Sequence, residues 1–459
     1  MASRVEQGFA RGNRPVAPFS LAAFRILFGL LTFTGSARFL LEGWVQPFFG
    51  EPTFFFSYAG FSWIPVPSAE VATGVYWILM LLSVLVTIGW FYRLAMPLFF
   101  VVFTWMELTD VTNYLNHYYL VSLLSLWMCF LPAEKVWSMD ARRADPGTVS
   151  IPAWCIWVLR WQVGLVYFYA AIAKLQPDWL LHGQPLNIWL LAQSDFPVLG
   201  PLFAHHEVAL AMSWAGFLND LLMAPALLWR KTRPWAYGIV VGFHLLTGAL
   251  FNIGMFPFIM IVGATVFFEP DWPLRILRHK PVPLTSARPS PSLQRGSALV
   301  VMTLCAFQGL FPLRSMLWEG PVIWHECGMR FAWKVKVREK NGNLSYRVRT
   351  ANGEEKRIQP EAYLTRRQAR EMATQPDLIL QLGHHIGAEM KREGQESVEV
   401  YADAVVSLNG RGLKPLINPE QDLMQVRDGF LCPDWIEQHP DEPPPALGFE
   451  KGKRFERRR

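Results

Sequence analysis

Residues 155–179 read CIWVLRWQVGLVYFYAAIAKLQPDW. Their first nineteen positions form one apolar run, and a transmembrane helix needs roughly 20 mostly apolar residues. The run ends on Lys174; Leu175, Gln176 and Pro177 stop the helix, and Asp178 follows. A lone lysine closing a membrane helix, with a carboxylate just beyond it, is either an interface anchor or a working group. The rest of the chain decides between these.

Working outward, similar apolar runs recur. Counting this one as 151–173, segments near 20–41, 71–89, 93–110, 116–131, 209–229, 235–251, 254–268 and 297–313 predict a polytopic α-helical membrane protein of about nine helices. Segments 93–110 and 116–131 are short for full spans and are expected as a re-entrant or tilted hairpin. Only 17% of the 459 residues are charged, against about 25% in soluble proteins, and the charge concentrates after residue 320. The division expected is a cytoplasmic tail (1–19), a helical catalytic domain (20–315), a soluble β-rich α+β domain (320–440) and a basic, disordered tail (441–459).

Loop charge sets the expected orientation, because basic loops stay in the cytoplasm. With nine spans, one side receives Arg11 and Arg14, Arg142 and Arg143, and Arg230, Lys231 and Arg233. The other side receives Lys174 alone among its inter-helix loops. The N-terminus is therefore expected inside, without a cleavable signal, and the soluble domain outside: in a bacterium, an inner-membrane protein with a periplasmic C-terminal domain. Lys174 is not explained by topology.

Ionisable groups at membrane depth are expensive. Arg25, Arg38, Glu107, Asp110, Arg160, Asp220 and His244 all fall in apolar segments. TDVTNYLNHYYL (109–120) gathers Asp110, Asn116 and His117 at the outer end of two segments, the face where Lys174 ends its helix. For a lone Asn or Asp, interhelical hydrogen bonding or interface anchoring is the favoured reading; for Lys174 it is function. A lysine at low dielectric loses preference for its charged form, and a neutral amine can act as a general base.

In the soluble part, FAWKVKVREKNGNLSYRVRTANGEEKRI (331–358) reads as hairpin, with NGN and NGE as turns. Residues 360–393 read as helix, and 397–411 as strand with a turn at Asn409-Gly410. The stretch 279–296 reads as a Pro/Ser-rich loop. Cys327 and Cys432 share this domain and could pair if it faces an oxidising compartment, a pairing that sequence alone does not establish. No Walker loop, HExxH or GxSxG elbow occurs, no metal site is expected, and no basic–aromatic stripe suggests nucleic acid.

LAAFRILFG (21–29), DVTNYLNHYYL (110–120), YFYAAIAKLQPDWL (167–180), FHLLTGALFNIGMFPF (243–258), EPDWP (269–273), RFAWKV (330–335) and VVSLNGRGLKPLINPEQDL (405–423) together resemble the vitamin K-dependent γ-glutamyl carboxylase family, in its bacterial branch with an HTTM-type membrane domain. The resemblance implies that Lys174 deprotonates a reduced vitamin K-type quinol, or a menaquinol. Asn116 and His117 would bind and orient the quinol oxygen, with Asp110 and His244 also on the cofactor. Trp333 and Arg330 would meet the glutamyl substrate. It further implies O₂ and CO₂ as co-substrates, epoxidation of the quinol coupled to carboxylation of glutamyl residues, and contact with membrane lipid and a glutamyl peptide or protein. Two other readings stay open: a quinol epoxidase without a protein substrate, and a non-enzymatic membrane receptor on the same fold. Fold alone does not choose among them.

Overall fold

The computed structural model describes residues 4–142, 150–279, 295–395, 397–429, 432 and 434–446. Most of the loop read at 279–296, and the tail from 447 onward, lie outside the described residues.

All nine apolar segments are helical: α1 (Phe19–Leu41), α2 (Ala69–Ile88), α3 (Tyr92–Glu107), α4 (Asn116–Phe130), α5 (Trp154–Lys174), α6 (His206–Leu228), α7 (Arg233–Leu250), α8 (Phe256–Ala264) and α9 (Arg295–Leu310). Among the described residues, five helices are long and apolar enough to cross a membrane: α1, α2, α5, α6 and the stretch 298–316 that contains α9. Helices α3 and α4, with 16 and 15 residues, rise only roughly 24 Å each, short of a full hydrocarbon core. The protein is an integral membrane protein.

Many large apolar side chains of these helices, such as Trp77, Leu81 and Trp235, remain exposed. Lipid is the solvent that makes such a surface stable. The buried side of the bundle is aromatic and aliphatic, centred on Phe24, Phe28, Leu79, Phe99, Trp127 and Val163. Two of the costly arginines are structural. Arg25 is fully buried and donates to the carbonyls of Ala133 and Trp137. Arg160 donates to those of Val266, Phe267 and Phe268. Each satisfies chain ends that no lipid can solvate.

The C-terminal part is an antiparallel four-stranded sheet of order β2-β1-β3-β4, formed by β1 (Lys340–Thr350), β2 (Glu355–Ile358), β3 (Val398–Leu408) and β4 (Lys414–Pro415). Strands β1 and β3 pair over eleven residues, Lys340 facing Leu408 and Thr350 facing Val398. Every second residue of β3 is buried, as expected of a sheet covered on one face; helix α11 (Pro376–Arg392) provides the cover.

Two expectations are corrected here. Asn341-Gly342-Asn343 is not a turn but runs inside β1, where a Cβ on Gly342 would fall 2.7 Å from Val406 Cγ1; the glycine permits close strand approach. The helix read over 360–393 is broken into a 3₁₀ turn at Pro360–Ala362, α10 (Arg366–Met372) and α11. Pro376 lacks the donor needed to continue α10 and disfavours helical backbone at Gln375. The turn at Asn409-Gly410 is present, both residues having positive φ, 52° and 83°. Cys327 and Cys432 form a disulfide, with Cα atoms 5.4 Å apart.

Candidate active site between the membrane helices and the C-terminal domain

Lys174 is the last residue of α5, and only 6% of its surface is exposed. Gln176 has extended backbone and Pro177 opens a short turn, so the chain leaves the helix at once. The ammonium is not alone. Nζ lies 2.6 Å from Asp220 Oδ2 on α6, donates at 3.3 Å to the Ala170 carbonyl, and sits 5.2 Å from the Trp179 ring centroid. Asn219 holds the other Asp220 oxygen at 3.2 Å. Sequence reasoning marked Asp220 as costly but did not bring it to Lys174. Its spacing from Lys174 carries no periodic signal, because the pairing depends on which faces of α5 and α6 meet.

This pair opens onto a cavity of about 110 Å³. Tyr167, His244, Phe251 and Phe256 form further wall. His244 Nε2 meets the Tyr167 hydroxyl at 3.3 Å, while its Nδ1 is buried without a hydrogen-bond partner.

Asn116 and His117, at the start of α4, do not line that cavity. They line a second, larger one of about 450 Å³, with Arg38, Glu107 and Asn113. The two cavities share four wall residues: Ile253 and Phe256 from the α7–α8 corner, and Val335 and Lys336 from the C-terminal domain. The second cavity also shares Phe39, Tyr76, Glu107 and Tyr118 with a small apolar cavity of about 50 Å³ that Phe24, Phe28 and Leu31 line inside the bundle.

The remaining sequence candidates lie elsewhere. Asp110 faces the C-terminal domain: its Oδ2 accepts from Gln368 at 3.0 Å and lies 3.8 Å from Arg367, so the carboxylate is engaged in a joint rather than lining either cavity. Arg330 is held by Asp377 and Gln375. Trp333 is 1% exposed and stacks on Tyr119 with centroids 4.8 Å apart. Both residues fix the strap 330–337 in place, and neither reaches a cavity wall. Lys336, which sequence reasoning missed, does; it lies one residue beyond the RFAWKV stretch (330–335), and no signal in the sequence singles it out.

Asp178 does not pair with Lys174. Arg411 clasps both its oxygens, at 2.6 and 2.7 Å, and Asn409 donates at 2.7 Å. Burial alone would raise this carboxyl's pKa, but the hydrogen bonds from Arg411 and Asn409 hold it below the usual carboxylate value. Thus the lysine faces the cavity, and the carboxylate after it bolts the C-terminal domain to the membrane helices.

Residues 13–272 match the family model for the HTTM domain, and residues 294–442 match that for the vitamin K-dependent gamma-carboxylase, lumenal domain. No solved structure matches the chain.

Proposed function

The chain belongs to the vitamin K-dependent gamma-carboxylase family, and from that premise we propose that it oxidises a lipid-soluble quinol to its epoxide and couples this to carboxylation of glutamyl residues. The observation that carries the reading is the buried Lys174–Asp220 pair, 2.6 Å long, at the wall of an apolar cavity bordering both membrane helices and soluble domain.

The residues present fit a quinol head. The walls are mostly apolar, and the unpartnered Nδ1 of His244 waits for a polar hydrogen or oxygen. A reduced vitamin K-type quinol or menaquinol, when bound with O₂, supplies a base strong enough to take a proton from a glutamyl γ-carbon, and CO₂ then adds there. Lys174 accepts the quinol hydroxyl proton. For that its amine must first be free, and Asp220 is placed to take the ammonium's proton. Tyr167 and His244 orient the head. The apolar cavity beside Phe24 and Phe28 suits the isoprenoid tail. Asn116 and His117 face the adjoining cavity and there meet the second substrate or the far edge of the quinol. Burial of the base excludes water that would quench a carbanion. We place the N-terminus in the cytoplasm and the C-terminal domain outside, at a bacterial inner membrane.

The test incubates purified protein with reduced vitamin K, O₂, radiolabelled bicarbonate and a short glutamate peptide, beside Lys174→Ala. Epoxide and acid-stable label, both lost in the variant, are the expected result. Epoxide alone selects the quinol epoxidase. Neither product removes Lys174 as a base for this quinol.

A further inference from the structure

Lys336 sits where the two cavities meet, lining both. It is exposed by surface area because the cavities admit water, yet protein surrounds it closely enough that burial pushes its pKa below the ordinary lysine value. Its Nζ lies 4.9 Å from the Trp189 ring centroid. Among the described residues it forms no ion pair within 4.0 Å. The acidic group that acts on it, Glu339, is already engaged: one oxygen takes the Trp189 indole N–H at 2.6 Å and the other the Asn341 amide at 3.0 Å.

The backbone that delivers this ammonium is strained. Phe331, Trp333 and Lys336 all have positive φ, at 60°, 55° and 49°, a region uncommon for side chains with a Cβ. Such strain persists only where neighbours over-determine it, and it collects at ligand sites. Here the neighbours are the buried Trp333 on Tyr119 and the Gln176 amide on the Val337 carbonyl at 3.1 Å.

We propose that Lys336 holds the carboxylate of the second substrate at the junction of the two cavities. The proposal rests on the coupled reading above. The geometry suits the chemistry. When the C–H bond next to a carboxylate breaks, the proton goes to the base generated from the quinol and O₂. The electron pair spreads onto the carboxylate oxygens before forming the new bond to CO₂. An ammonium on those oxygens stabilises the charge that develops. It also selects an anionic substrate over a neutral one, since a charged hydrogen bond in a confined site discriminates by tenfold or more.

The experiment measures binding rather than turnover. A short capped peptide with one glutamate, its glutamine twin and free succinate are titrated calorimetrically against the full chain in detergent, with oxidised vitamin K titrated separately. Lys336→Met is expected to weaken the glutamate peptide roughly tenfold or more, to leave the glutamine peptide as weak as in the wild type, and to leave the quinone unchanged. Lys336→Arg recovers most of the loss. Succinate binding as tightly as the peptide assigns the site to a small free carboxylate; the peptide alone assigns it to glutamyl chains. Equal peptide binding by wild type and Lys336→Met overturns the proposal, as does a wild type that ignores the charge of the peptide. Epoxide formation, assayed in parallel, judges the coupled reading independently: epoxide with charge-blind peptide binding sinks Lys336 alone.

Discussion

At the scale of the residue, the decisive contact is between two groups that membrane helices rarely carry. Removing one partner of a buried ion pair leaves the other charge uncompensated, at about 3–5 kcal/mol. Asp220→Ala therefore destabilises the bundle by about that much, read by thermal unfolding in detergent. Asp220→Asn keeps the shape and a hydrogen bond but cannot accept the proton from Lys174. It is expected to fold, to bind the quinone normally, and to lose epoxidation roughly a hundredfold or more, the scale of proton-transfer catalysis. Normal turnover by Asp220→Asn would reduce the aspartate to a structural partner. Lys174 was legible because, in the expected topology, it is the lone basic residue of the inter-helix loops on its side. Asp220 was visible only as an expense, since sequence names the costly group but not the helix face that meets it. Asp110 and Arg330 show what else sequence leaves out: their types suit a ligand, and the structure shows Gln368 and Asp377 engaging them.

At the scale of the element, nine apolar runs gave nine helices because long periodic segments carry their own evidence. The soluble part was less legible. Asn341-Gly342-Asn343 carries turn chemistry but lies under an eleven-residue strand pairing that overrides it. The strap 330–337 alternates like a strand, yet Arg330 pairs with Asp377 inside the C-terminal domain and Lys336 lines the cavities. The Cys327–Cys432 bridge ties the approach to this strap to the chain after β4, 105 residues on. Closing a loop of about 100 residues stabilises a fold by about 4.7 kcal/mol if the gain is mainly denatured-state entropy. Cys432→Ser is thus expected to lower the unfolding temperature of the C-terminal part, and reductant to shift the wild type to the same value. A wild type insensitive to reductant would show that the bridge contributes nothing.

At the scale of the whole molecule, the two parts are joined by buried polar clasps as well as apolar packing, among them Asp178 with Arg411 and Asn409. The native carboxyl has a pKa below its unfolded value, so its contribution is complete above about pH 4. It is lost as pH falls through the lower native value. Hydrogen exchange at residues 409–411, taken relative to the intrinsic amide rate at each pH, is accordingly expected to stay slow and flat from about pH 5 to pH 8 and to accelerate only below about pH 4. Arg411→Met makes it fast throughout. Fast exchange in the wild type near neutrality would mean that the clasp does not hold the parts together. No motif in the sequence announces this joint, because each partner reads locally as an ordinary turn residue.

Lys174 and Asp178 lie on one short, stiff piece of chain, one facing the cavity and the other gripped by the soluble domain. That piece works as a lever with a load at each end. Whatever tightens the grip on Asp178 restricts where the amine can point, and a ligand that fixes the amine must strengthen the grip by the same free energy, since linkage is reciprocal. A water-borne substrate and a lipid-borne one, arriving from different phases, would then register each other's presence without touching.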